Sequence, residues 1–166
     1  MRRIATLALT LALALALALA LALIAPAARA QDRDTGRASE LARAMLLTAK
    51  SLRCTIGPGV TAQWNAGRPD VERLPWGREN IVRFEELNLQ NHSARVFGPY
   101  WSSDSMFIAT AAGLHFIEEH DTGSIFVSTV FARGDRESFP FVTSRHFTIV
   151  DGPNPGQYYG TCRIVR

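Results

Sequence analysis

The sequence predicts a mainly β domain, an antiparallel meander of about seven or eight strands forming a small barrel or curved sheet. One N-terminal α-helix is expected in the mature chain. Three observations carry this reading. From Ile81 onward, short runs rich in Val, Ile, Phe and Thr are separated by turn clusters too short to hold crossover helices. One connection, "EEHDTGSIF", has the composition of a tight hairpin. Two cysteines, Cys54 and Cys162, bracket nearly the whole β region.

The first thirty residues form one unit. Arg2 and Arg3 give a positive start, and Ile4 to Ala28 carries no charge. Ala28-Arg29-Ala30 then offers small side chains at the two positions a signal peptidase accommodates, which places cleavage before Gln31. The Leu/Ala alternation has period two, but both residues are apolar and both favour helix, so it is no strand signal. About 20 apolar residues also suffice to span a membrane, so an uncleaved anchor is the competing reading. Residues 1–30 are thus expected to be a signal peptide, residues 31–37 a flexible N-terminus, and residues 38–166 a single globular domain. An exported protein, periplasmic or secreted, with no stable membrane insertion after cleavage, is the corresponding address.

Charge excludes one class of partner. Of 18 Lys and Arg, three (Arg2, Arg3 and Arg29) lie in the signal, and the remainder balance the 15 Asp and Glu. A mature chain without net charge has no bulk attraction to nucleic acid. In an oxidising compartment Cys54 and Cys162 are expected to form a disulfide. On the chain-entropy model, closing so long a loop contributes on the order of 4 to 5 kcal/mol. Two free thiols or a metal pair would be the alternative, but there is no CxxC and no His at ligand spacing.

Along the domain, Ser39 to Ser51 reads as a helix with Leu41, Met45, Thr48 and Leu52 on one face. Gly57-Pro58-Gly59 reads as a turn, and Asn65 to Asn80, with Pro69, Pro75, Gly67 and Gly77, as a long loop. The expected strands are Ile81–Leu89, Ala94–Phe97, Ser105–Thr110, Leu114–His120, Ser124–Ala132, Phe139–Val150 and Gln157–Val165. Asp121-Thr122-Gly123 suits a three-residue hairpin loop with Gly123 left-handed. Register then sets His120 opposite Ser124, Glu118 opposite Phe126, Phe116 opposite Ser128 and Leu114 opposite Val130. The other face pairs Glu119 with Ile125, Ile117 with Val127 and His115 with Thr129. Both faces are apolar away from the turn, so both are expected to be covered.

Few residues point to chemistry. "HFIEEH" (His115 to His120) approaches the inverted zinc-protease motif but has one residue too many. On a strand it sends His115 and Glu119 one way, and Glu118 and His120 the other. Ser144 and His146 share a strand face, with Arg145 opposite; together with an acid such as Glu119 or Asp151 they could be named a triad. No nucleophile elbow or glycine-rich oxyanion loop precedes Ser144. His115, Arg145 and His146 are therefore a possible polar site, with no residue assigned as catalytic. Tyr100-Trp101, two large aromatics in a Ser-rich loop, are the best pointer to a contact surface. Tyr158 and Tyr159 adjoin Cys162 and suit packing or a binding rim. Arg133-Gly134-Asp135 is too short a match to carry weight. No phosphate-loop, dinucleotide, EF-hand or haem motif occurs, and no cofactor or metal is implied.

Three functions stay compatible with these residues. The first is a non-enzymatic binding module for another envelope or extracellular protein. The second is a carrier of a small lipophilic ligand inside the barrel, which a cavity of several hundred Å³ would favour. The third is a hydrolase using His146 or His115.

Overall fold

The computed structural model describes residues 36–74, 80–134, 137–149 and 152–165. The expected signal and cleavage site, residues 31–35 of the flexible segment, Asp135 of the Arg-Gly-Asp tripeptide and Asp151 lie outside these residues. Ala38–Arg166 forms one compact unit.

Residues 36–48 are helical (α1). Nine strands follow: β1 (Ser51–Asn65), β2 (Arg68–Leu74), β3 (Asn80–Asn88), β4 (Ser93–Phe97), β5 (Ser102–Ala109), β6 (Gly113–Glu119), β7 (Ile125–Phe131), β8 (Phe139–Ile149) and β9 (Gly152–Val165). They hydrogen-bond antiparallel in the order β2-β1-β3-β4-β5-β6-β7-β8-β9, and β1 also pairs with β9. That last pairing closes eight strands, β1 and β3 to β9, into an up-and-down barrel. β2 hangs outside the closure on the far half of β1. The fold is thus the small barrel with one helix that the turn spacing predicts. Cys54 and Cys162 are directly opposed at the β1–β9 seam and form a disulfide.

Alternation sends every second residue inward, and an eight-stranded barrel is only just wide enough for side chains to fill. Cross-strand register arranges these residues in rows. One row runs Ala109, Leu114, Val130, Phe141 and Gly160. The next runs Phe107, Phe116, Ser128, Thr143 and Tyr158, and a third runs Ser105, Glu118, Phe126, Arg145 and Gly156. Phe84 joins the lower layers, with its ring 4.1 Å from Phe116 and 6.1 Å from Phe141. Phe84, Phe107, Phe116, Phe139 and Phe141 are all completely or almost completely buried.

α1 closes the same end. Ala42, Leu46 and Ala49 are buried in the core, Ser39 Oγ donates to the Ala132 carbonyl at 2.8 Å, and Arg43 Nε donates to the Thr110 carbonyl at 3.2 Å. The buried stripe is offset from the expected Leu41, Met45, Thr48 and Leu52. Leu41 is exposed, and small Ala42 and Ala49 bring the helix close. Thr48 caps the helix end through the Ala44 and Met45 carbonyls, and Leu52 belongs to β1.

Four further expectations need correction. Ser51 opens a strand instead of ending the helix, and Gly57-Pro58-Gly59 lies inside β1, where the β1–β9 register shifts between Ile56 and Gly59. A β-bulge of this kind accepts glycine and proline without ending the strand. The long loop is interrupted by β2, because Ala66 (φ 50°) and Gly67 (φ 77°) make a two-residue hairpin turn that pairs Asn65 with Arg68. Finally, the β6–β7 hairpin has the expected register in full. Its inner face is buried, but within this chain Ile125 and Val127 on the outer face stay exposed.

Candidate functional site

Going up the barrel from the phenylalanine layers, the interior turns polar. Ser128 and Thr143 are buried and hydrogen-bonded to each other at 2.9 Å. One row higher stands Glu118, 1 % exposed, which accepts a hydrogen bond from Ser103 Oγ at 3.2 Å. Burial pushes its carboxyl up to about 7, against the opposing pull of Ser103 and of the Arg145 charge.

Arg145 lies on the same row, two strands away, with Phe126 between them. Its guanidinium carbon is 5.2 Å from the Phe126 ring centre and 5.0 Å from that of Tyr158. The two rings hold the cation by cation–π attraction, and its Nε is buried without a hydrogen-bond partner. Burial lowers its pKa, while Tyr158 and Glu118 act to raise it.

His120, at the top of β6, stacks on Phe126 (4.3 Å between ring centres) and meets Trp101 edge-on at 5.1 Å. Its Nε2 lies 3.7 Å from Glu118 Oε2, too far to bond, and is also buried without a partner. Burial, then Arg145, lowers its pKa, opposed by Asp121. Near neutrality the imidazole is therefore uncharged, and its contact with Glu118 is not an ion pair.

His120 and Arg145 edge a pocket of about 460 Å³ in the barrel mouth, walled by Trp101, Phe126 and Phe147 and completed by Asp121, Thr122 and Ser124 of the hairpin. The β4–β5 connection supplies Trp101, the β6–β7 hairpin supplies His120 and Ser124, and β8 supplies Arg145 and Phe147. Two buried nitrogens without partners, Arg145 Nε and His120 Nε2, thus meet at the mouth, near a carboxyl pushed up to about 7.

The residues singled out in the sequence divide. Trp101 and Arg145 belong to the mouth. Tyr100, 99 % exposed, points away from the barrel. His115 sits on the outer wall, between Thr110 Oγ1 (2.9 Å) and Thr129 Oγ1 (3.1 Å). His146 is exposed on the outer wall opposite Ile125. Arg145 and the two histidines thus do not form one site. Tyr158 turns inward to Arg145, and Tyr159 outward. Glu118 and His120, legible in the sequence only as parts of a failed metal motif, are the polar centre. Their signal was available, since strand alternation puts a carboxylate on the face that carries Phe116 and Phe126. Among the described residues no group of three or more His, Cys, Asp and Glu could hold a metal ion. Compared with known proteins, the chain matches no family model and no curated protein sequence.

Proposed function

We propose that the protein is a non-enzymatic binder of a small, largely apolar ligand, held in the open mouth of the barrel and acting outside the cytoplasm. The observation that carries this reading is the pocket of about 460 Å³, walled by Trp101, Phe126 and Phe147, above lower layers rich in buried phenylalanine. That volume falls within the range of small-molecule sites, and its mix of aromatic wall and a few convergent polar groups is theirs too. The ligand is placed at the mouth because the lower layers carry the buried rings of Phe84, Phe107, Phe116, Phe139 and Phe141. The exported address is supported by the charge-free run Ile4 to Ala28, by the Ala28-Arg29-Ala30 site that ends the segment, and by the Cys54–Cys162 disulfide.

Titration with the neutral fluorescent probe N-phenyl-1-naphthylamine tests the reading. Saturable one-to-one binding that is lost in Trp101→Ala supports it. Absence of saturable binding, or binding indifferent to Trp101→Ala, overturns it. A second reading, a contact with another extracellular protein, rests on Tyr100, whose nearly complete exposure suits an anchor for a partner surface.

A further inference from the structure

The ligand class can be narrowed, on the assumption that the mouth is a ligand site. Its walls are aromatic, yet its polar edge is not neutral. Arg145 has been drawn into the barrel, where the loss of water is offset by two aromatic faces and a distant carboxyl. No Arg145–carboxylate contact within ion-pair distance occurs among the described residues, and the guanidinium Nε has no acceptor at all. A part-buried cation whose Nε is left without an acceptor is favoured by anything that supplies one. His120 Nε2, on the adjoining edge, is equally unpartnered. Glu118 is closer to His120 than to any hydrogen-bonded pairing with Arg145, and its oxygen is already taken by Ser103.

The charged and titratable groups lining this space are His120 from the end of β6, Asp121 from the hairpin loop and Arg145 from β8; Glu118 lies behind His120, and the Tyr158 ring packs on Arg145. Asp121 is exposed at the rim. Asp121 brings a negative charge to the outer lining, whereas the charge lying against the aromatic wall, over the Phe126 ring, is the positive one of Arg145.

We propose that the ligand is an apolar body carrying a single carboxylate, its head paired with Arg145 beside His120 and its body lying against Trp101, Phe126 and Phe147. Charge-assisted bonds to guanidinium are among the strongest a pocket can offer, and the planar fork of arginine matches a carboxylate. Glu118 supports the choice as a neighbour that stays protonated in mildly acidic solution, so that it does not repel a second carboxylate.

The test compares two compounds with one body and different heads. 1-Naphthaleneacetate carries the carboxylate, and 1-naphthaleneacetamide is its uncharged counterpart. Both are titrated calorimetrically into the disulfide-bonded protein at pH 6. The acetate is expected to bind at least about tenfold more tightly than the amide, a margin that a single charged hydrogen bond supplies. Arg145→Gln is expected to remove that margin, so that acid and amide bind the variant within about twofold of each other. Arg145→Lys, which keeps the charge but not the fork, retains part of it. Equal binding of acid and amide by the wild-type protein overturns the inference and needs no variant to fold. So does a margin that survives in Arg145→Gln. If N-phenyl-1-naphthylamine also fails to bind, the mouth is not a ligand site; if it binds and the acid is not preferred, only the carboxylate assignment falls.

Discussion

Gly98 lies directly against the indole of Trp101. A methyl group built on it would overlap the ring, and the Gly98 N–H donates to the Trp101 carbonyl at 2.9 Å. The loop closes on itself so tightly that only a hydrogen fits beneath the ring that walls the mouth. Gly98→Ala is therefore expected to push the indole out. Overpacking of this kind costs about 1 to 3 kcal/mol, read as a lower urea midpoint. Probe binding should weaken with it, while Tyr100→Ala in the same loop leaves both unchanged.

Glu118 makes stability depend on pH. Its folded carboxyl titrates at about 7, against an ordinary value of 4.5, so the folded chain holds a proton that the unfolded chain gives up. Stability contributed by this group is complete below about pH 4.5, falls as pH rises toward 7, and stays lost above it. One pH unit between the folded and unfolded values is worth roughly 1.4 kcal/mol, so the full loss is about 3 kcal/mol. Glu118→Gln keeps an acceptor for Ser103 and removes the titration. It should be more stable than the wild type at pH 8 and little different at pH 4, as measured by thermal unfolding across that range.

The Cys54–Cys162 bond ties together the two strands whose pairing closes the barrel. Replacing both cysteines by alanine is expected to lower stability by roughly 2 to 5 kcal/mol. The mouth lies several rows away, on β5 to β8, so probe affinity should persist at temperatures where the variant remains folded. Urea unfolding followed by probe titration measures both effects.

The outer histidines are expected to be silent in binding. His115→Ala gives up two hydrogen bonds to threonine hydroxyls and should cost about 1 kcal/mol. His146→Ala, at an exposed position, should change stability by less than about 0.5 kcal/mol. Neither should alter affinity for the probe, whereas His120→Ala should. An effect of His146→Ala on binding would move the site to the outer wall.

Much of the fold is legible in the residues because short-range rules govern it. The Asp121-Thr122-Gly123 loop fixes its own register, and Gly123 adopts the left-handed φ of 76° that the turn demands. Seven strands show as alternating runs between turns. The misses are at β1, β2 and the start of β9 (Gly152 to Gly156), where glycine and proline read as breaks. Pro58 sits beside a register shift, and Pro69 on a strand with one free side, two places where the absent N–H is tolerated. Local composition cannot tell a bulge from a turn. The site is harder to read. Alternation puts Glu118 and Arg145 on the inner faces of their strands, but the strand between them, and hence their nearness, depends on how the barrel closes. Tyr100 and Trp101 look alike in the sequence and differ only because Gly98 draws one ring inward.

The free strand β2 has a consequence for how copies of the chain meet. A closed barrel presents no edge, yet β2 pairs only with β1 among the described residues and so offers one. In a hairpin with a two-residue turn the Asn65–Arg68 pair is hydrogen-bonded, and bonding alternates from there. The backbones of Pro69, Val71 and Arg73 then face outward, and Pro69 has no N–H to give. A second β2 can add antiparallel only by matching outward residues with outward residues. Aligning Val71 with Val71 sets Asp70 against Glu72 twice; the neighbouring registers set Asp70 against Asp70 or Glu72 against Glu72. Every such register opposes like charges, which destabilises the pairing. The hairpin thus carries its own guard against fibre-like stacking, and neutralising Asp70 and Glu72 together would remove it.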